Sequence, residues 1–107
     1  MKIADIRKKT KDEEYDLSLH AHQERQEEQI TITEIEKALL KGDIIEKYSE
    51  DKRGESCLIA GKVNRGEYLH VVCGMRGNRL LIVTVYRPKL PVWIDYKTRR
   101  KELKYRV

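Results

Sequence analysis

His20 and Glu24 have residue types and a spacing that suit proton transfer. They lie four residues apart in "LSLHAHQERQEEQI", residues 17–30, so a helix here would place both side chains on one face within hydrogen-bonding reach. A carboxylate in that position would hold the imidazole in one tautomer, as a general base requires. The same spacing also fits a structural polar pair that caps the edge of a sheet, and both interpretations stay open.

Three further side chains could take part in the same chemistry. Arg53, in the turn "DKRGES", could bind a phosphate through two hydrogen bonds, although an ordinary charged turn has this composition too. Tyr86 ends the segment "TVY" directly before Arg87 and could serve as an acid or a phosphate contact, or close a core. His70, in "YLHVV", could contact RNA, but a histidine in a central strand more often has a structural role.

Together these residues have the composition of a site for metal-independent RNA cleavage. That reaction needs a base near the 2′-hydroxyl, an acid for the leaving oxygen and cations for the charge on the phosphate. The candidate catalytic residues are His20, Glu24, Arg53 and Tyr86. The candidate RNA-binding residues are Lys52, His70, Arg76, Arg87, Lys89, Arg99 and Arg100. Three scattered histidines and no glycine-rich phosphate loop predict neither a metal site nor a cofactor.

Helices are predicted in the first half of the chain, where they would position His20 and Glu24. The segment that carries them follows a candidate N-cap, which is either Asp16 or Ser18. A shorter helix over residues 2–11 is predicted within an N-terminal segment, 1–14, that is otherwise poorly defined.

The helix in "ITITEIEKALLKG" has the clearest boundaries. Thr31 and Glu34 have the spacing of a capping box, in which each residue satisfies a backbone N–H of the other. Apolar residues recur at helical spacing in its middle, and Gly42 stands where a left-handed C-terminal residue would end the helix. The pattern predicts a helix that packs one apolar face against a sheet.

After Gly42 the hydrophobic period changes to that of strands. Four strands are predicted, in "DIIEKYS", "CLIAGKV", "YLHVVCG" and "RLLIVTVY", with a hairpin at Gly66 between the second and third. The last is apolar at every position from Leu80 to Val83, which predicts a central strand buried on both faces. We therefore predict a single α+β domain, residues 1–107, with two or three helices packed on one face of a small, mainly antiparallel four-stranded sheet. Residues 94–107 would form a basic tail.

Charge divides the chain into two halves. Residues 1–51 carry nine Lys and Arg against fourteen Asp and Glu, a net charge of −5, whereas residues 52–107 carry fourteen against four, a net charge of +10. A basic half suits a polyanion such as RNA or an acidic protein partner, and a solvated surface with internal ion pairs is the alternative. The His20–Glu24 face would then form one wall of a polar groove whose other wall is basic.

The two cysteines and the first residues of the chain indicate the cellular compartment of the protein. Cys57 and Cys73 lie in separate strand-like segments and are interpreted as buried small hydrophobes in a reducing cytoplasm, with a disulfide between neighbouring strands as the alternative. The start, "MKIADIRKKT", lacks the apolar stretch of a secretory signal. No apolar run approaches the roughly 20 residues that cross a bilayer. A cytoplasmic protein that does not contact membranes is predicted.

The order of these segments resembles a family of small bacterial and archaeal proteins known as domain of unknown function 4258. The resemblance covers about residues 15 to 100 and rests on "YDLSLHAHQE", "ITITEIEKALLKGDIIEKY", "EDKRGESCLIAGKV", "EYLHVVC", "LIVTVYRP" and "WIDYKTRR". The family is discussed with the RelE-, BrnT- and MqsR-like toxins, which are compact α+β ribonucleases, so the resemblance implies a RelE-like fold. It also implies a neighbouring small antitoxin, often with a zinc-binding domain.

Three functions are compatible with these observations. The resemblance favours a ribonuclease toxin of a toxin–antitoxin pair that cleaves mRNA without metal. A non-catalytic RNA-binding module and a protein-interaction module whose basic face docks an acidic partner fit the charge pattern equally well. RNA and an antitoxin are the expected partners, with a homodimer as a further alternative.

Overall fold

The chain folds into three helices and five strands in the computed structural model, which describes residues 1–50, 52, 54–64, 66–89 and 97. In chain order these are α1 (Ile3–Lys11), β1 (Tyr15–Leu17), α2 (Leu19–Glu27), α3 (Ile32–Lys41), β2 (Asp43–Tyr48), β3 (Ser56–Asn64), β4 (Glu67–Arg76) and β5 (Arg79–Tyr86). The α+β class is confirmed. Arg53, Arg99, Arg100 and all of the predicted basic tail except Lys97 lie outside the described residues.

The sheet has the strand order β1-β5-β4-β3-β2. Strands β2 to β5 form the predicted antiparallel meander, and the hairpin between β3 and β4 has Gly66 at φ +73°, as expected for its turn. The prediction of a four-stranded sheet was wrong, because β1 adds a fifth strand that pairs in parallel with β5, with Tyr15 opposite Leu80. Three residues are too few to give a periodic signal, and the partner strand lies in the other half of the chain.

The prediction that β5 is the central strand was also wrong. The middle position belongs to β4, and β1 borders β5 only along Leu80–Ile82. The strand with the longest fully buried run is β3, in which Ser56 to Gly61 are all buried. Leu81 and Val83 of β5 remain half-exposed, so an uninterrupted apolar run here does not mark burial on both faces.

All three helices contribute to one core on one face of the sheet. This helix face is defined by the buried strand residues Cys57, Ile59, Val71, Cys73, Ile82 and Val85, which pack with Ile6 of α1, Ala21 of α2 and Ile35 and Leu39 of α3. The opposite side, called the second face here, carries Leu58, Ala60, His70 and Tyr86 because side chains alternate along a strand. The short helix predicted over residues 2–11 is thus present as α1, and it packs on the sheet through Ile6.

The capping box of α3 is present as predicted. The hydroxyl of Thr31 accepts from the backbone N–H of Glu34, and the Glu34 carboxylate accepts from the backbone N–H of Thr31. Gly42, however, has φ −81° and ψ 177°, so the predicted left-handed residue at the helix end was wrong. Glycine is needed for space instead, because a Cβ atom there would clash with the carbonyl oxygen of Ala38 and lie 2.6 Å from that of Ala60.

The longest helix among the described residues is α3, with ten residues. No helix in the described part of the chain combines the length and the apolar character needed to cross a membrane.

Candidate functional site

The predicted contact between His20 and Glu24 is present on α2. The Nε2 atom of His20 lies 3.3 Å from Oε1 of Glu24. The imidazole is 64% exposed, whereas the carboxylate is only 22% exposed. Ser18, one of the two predicted N-caps, begins the helix by accepting a hydrogen bond from the backbone N–H of Ala21. The imidazole is therefore exposed to solvent, and it contacts a carboxylate that is itself held in place.

Glu24 is fixed by the edge of the sheet. β1 ends at Leu17 opposite Ile82, so the last residues of β5 have no strand on that side. Ser18 covers part of this edge, donating its backbone N–H to the carbonyl of Ile82 and its hydroxyl to that of Val83. Glu24 Oε1 accepts the backbone N–H of Val85 at 3.2 Å. The structural alternative, in which the pair caps a sheet edge, therefore describes Glu24 correctly, and the two interpretations are compatible.

Partial burial raises the pKa of the Glu24 carboxyl above its ordinary value, although the N–H of Val85 and the nearby imidazole act in the opposite direction. A carboxyl group with a raised pKa binds its proton more tightly in the folded state than in the unfolded state. The ionised form therefore costs stability, and the cost develops as the pH rises from 4.5, the ordinary value, through the raised value.

We expect Glu24→Gln to remove this cost while keeping an oxygen that can accept the Val85 N–H. The stability of the variant relative to the wild type should increase as the pH is raised from below 4.5 to neutrality. Urea unfolding across this range measures the difference. Glu27→Gln, at an exposed position of the same helix, controls for the loss of one negative charge. A difference in stability between Glu24→Gln and the wild type that does not change with pH would contradict the raised pKa of Glu24.

His70 and Tyr86 form a second pair on the second face of the sheet. They are opposite each other on β4 and β5, with Nδ1 of His70 3.2 Å from the hydroxyl oxygen of Tyr86 and the ring centroids 5.2 Å apart. His70 is fully buried, so its predicted contact with RNA would require that it be uncovered. Tyr86 is half-exposed.

The two pairs lie on either side of the β5 backbone. Glu24 binds the N–H of Val85, whose side chain belongs to the helix face, and the next residue, Tyr86, points to the second face. Of the four predicted catalytic residues, the structure describes three: His20 and Glu24 contact each other, whereas Tyr86 pairs with His70. Arg53 lies outside the described residues.

The predicted RNA-binding cations that the structure describes lie at both ends of the sheet. Lys89 lies beside α2 and pairs with Glu28, with Nζ 3.2 Å from Oε1, while Arg87 binds Glu34 at 3.4 Å. Arg76 is at the other end of β4, six residues or about 20 Å from His70 along the strand, and pairs with Asp16. Lys52 is exposed in the loop between β2 and β3.

The candidate site therefore consists of three side chains in a row along one side of α2, together with a nearby cation. His20, Glu24 and Glu28 follow one another at four-residue spacing on the same side of the helix, and Lys89 contacts the last of them. The exposed imidazole and the 70%-exposed Lys89 side chain give this row one base and one cation that can reach a ligand. Among the described residues, no three His, Cys, Asp or Glu side chains are grouped to hold a metal ion.

Two acidic residues of this region were not among the predicted site residues. Glu28 has the right helical spacing after Glu24, but its partner Lys89 is distant in sequence. Glu34 was predicted only as a capping residue, yet it also binds Arg87. Burial of Glu34 opposes its ionisation, but the Thr31 backbone N–H and Arg87 together lower the pKa of its carboxyl.

Comparison with known proteins identifies a protein-family model that matches the chain. The model of the family described as "Domain of unknown function (DUF4258)" matches residues 17–87, which run from the end of β1 to the residue after β5. That range includes the His20–Glu24 and His70–Tyr86 pairs but neither α1 nor Lys89. No curated protein and no solved structure matches the chain. Because the model covers about two thirds of its residues, the chain belongs to the DUF4258 family.

Proposed function

We propose that this protein is a metal-independent endoribonuclease that cleaves mRNA as the toxin of a toxin–antitoxin pair. The observation that carries the proposal is the exposed imidazole of His20, held at 3.3 Å by a carboxylate that the sheet edge fixes in turn. A RelE-like arrangement belongs to the same proposal. It is supported by helices packed on one face of a largely antiparallel sheet and by the resemblance described above.

In the proposed reaction His20 removes the proton of a ribose 2′-hydroxyl. The 2′-oxygen attacks the adjacent phosphorus, the bond from phosphorus to the 5′-oxygen breaks, and a 2′,3′-cyclic phosphate and a 5′-hydroxyl result. Because Glu24 faces Nε2, its carboxylate would hold the N–H of the neutral imidazole on that atom. Nδ1 is then the nitrogen that accepts the proton of the substrate.

The remaining roles go to residues around the end of β5. Lys89 would stabilise the negative charge that builds on the phosphate, since its ammonium group is exposed next to the α2 row. Tyr86 is proposed as the proton donor to the leaving oxygen, supported by its contact with His70 and its half-exposed position. To meet both pairs, RNA would have to pass around the edge of β5 beyond the end of β1.

A non-catalytic module is the second candidate function, and it is favoured by the separation of His20 and Glu24 from Tyr86, which pairs with His70 on the other face of the sheet. Arg76, Arg87 and Lys89, which were predicted to bind RNA, each contact a carboxylate of this chain. Binding of a polyanion would have to displace these contacts. A module of this type would bind RNA with strong salt dependence, or dock an acidic protein, and would leave RNA intact.

Incubation of the purified protein with single-stranded RNA tests the proposal. We expect cleavage at equal rates with EDTA and with added Mg²⁺, and products that end in a 2′,3′-cyclic phosphate, because a side chain supplies the base. RNA that stays intact while it is bound and released by salt would support the non-catalytic module instead. Expression should also arrest growth, and co-expression of the neighbouring gene should relieve the arrest if an antitoxin is encoded there.

A further inference from the structure

The two cysteines of the chain face each other across two neighbouring strands. Cys57 of β3 and Cys73 of β4 are direct partners in the antiparallel ladder, and their sulfur atoms are 4.0 Å apart. Both are free thiols, and both side chains lie on the helix face, where they are 1% exposed or less. The expectation of buried small hydrophobes is confirmed for the reduced protein. Because the two thiols face each other, they are placed to react with each other, which burial alone would not achieve.

We infer that Cys57 and Cys73 form a modification site, at which a hydroperoxide oxidises the two thiols to a disulfide between β3 and β4. Opposed residues of an antiparallel ladder have Cα separations of about 4.5–5.5 Å, which lie within the range that a disulfide spans. The sulfur atoms have to move about 2 Å closer to reach bonding distance, which side-chain rotation can supply without separating the strands.

A cavity of about 280 Å³ lies near the ends of β3 and β4 that carry the cysteines, and it is lined by Ile6, Glu55, Met75 and Leu80, among others. It is large enough to hold a hydroperoxide. Neither cysteine lines it and both side chains are 1% exposed or less, so the oxidant reaches the sulfur atoms only when the core opens locally.

The contact between the two sulfur atoms favours Cys57 as the residue that reacts first. The contact with Cys73 lowers the pKa of the Cys57 thiol, although burial opposes this, and the same contact together with burial raises the pKa of Cys73. In the proposed reaction Cys57 acts as the nucleophile. Its thiolate attacks one peroxide oxygen, the O–O bond breaks, and a sulfenic acid forms on Cys57 while an alcohol, or water from hydrogen peroxide, is released.

The second step closes the disulfide. The sulfur of Cys73 attacks the sulfur of Cys57, the S–O bond breaks, and the departing hydroxide leaves as water with the proton of Cys73. In total the two thiols lose two electrons and two protons, and one hydroperoxide is reduced to an alcohol and water. No metal or further reductant enters the reaction.

Hydrogen peroxide added to the reduced, full-length protein tests this inference. After denaturation and alkylation, we expect the wild type to be a monomer that has lost two hydrogen atoms and takes up no alkyl group until it is reduced. Trypsin cleaves between the two cysteines at Lys62, so a linked peptide pair identifies the bond directly. Cys57→Ala and Cys73→Ala should each fail to form an intramolecular bond. If either variant does not fold, the peptide map of the wild type decides alone.

The inference is overturned by two results. One is a wild type in which both thiols remain open to alkylation after peroxide treatment. The other is cross-linking that gives only dimers on a non-reducing gel, since that would place the reactive thiols on different molecules.

Discussion

A protein carrying His20→Ala is expected to lose RNA cleavage by roughly 100-fold to 10,000-fold, the usual contribution of a general base. The imidazole is mostly exposed and its contact with Glu24 is at the surface of α2, so the substitution removes little buried area. The folded state should therefore persist, and thermal unfolding of the variant should resemble that of the wild type. The rate of cleavage of a fluorescent RNA under single-turnover conditions measures the loss.

His22→Ala is the matched control for this variant. His22 lies on the same helix two residues later and is exposed, but it points away from the row of His20, Glu24 and Glu28. The His22→Ala variant should cleave RNA as fast as the wild type. Imidazole added to the buffer should restore part of the activity of His20→Ala and leave His22→Ala unchanged. Equal losses in the two variants would remove His20 from its proposed role.

Gly61→Ala is expected to destabilise the fold by about 3 kcal/mol, at the upper end of the usual cost of overpacking a core. A Cβ atom on Gly61 would lie 2.5 Å from the Cα atom of Ala38 and 2.6 Å from its carbonyl oxygen. These are backbone atoms of α3, so no side chain can rotate away, and the helix would have to move off β3. The urea concentration at the midpoint of unfolding measures the effect.

Two further variants test whether the clash with the α3 backbone causes the loss of stability. Lys62→Ala changes the next, exposed residue of β3 and should stay within about 0.5 kcal/mol of the wild type. The double variant Gly61→Ala/Ala38→Gly removes the Cβ of Ala38 but leaves the clashing backbone atoms in place. It should be no more stable than Gly61→Ala. Recovery of stability in the double variant would show that the contact runs through the Ala38 side chain.

Local signals predicted the parts of the fold that depend on local contacts. The capping box at Thr31 and Glu34 spans three residues, and both of its hydrogen bonds are present. The contact between His20 and Glu24 spans one helical turn and is present too. In each case the spacing along a helix fixes the geometry, so the sequence contains all that is needed.

The parts that were missed depend on partners far apart in the chain. β1 is recognisable only through its pairing with β5, and the hydrogen bond from the Val85 N–H to Glu24 exists only because that pairing stops at Ile82. The pairing of His70 with Tyr86 depends on a register shift between Val72 and Cys73, which no residue pattern marks. The faces of individual strands could be predicted, but not which site residues meet.

The pairing of β1 with the much later strand β5 affects how the protein can fold during its synthesis. On the ribosome, Leu17 and Glu24 are synthesised before their partners on β5, and Val85 follows Glu24 by 61 residues. A nascent chain that ends before β5 can form α3 from its own local contacts, yet it cannot close the sheet or bind the Glu24 carboxylate to the Val85 N–H. The helical turn that joins His20 to Glu24 can therefore form first, and the sheet edge fixes its carboxylate only after β5 has been made.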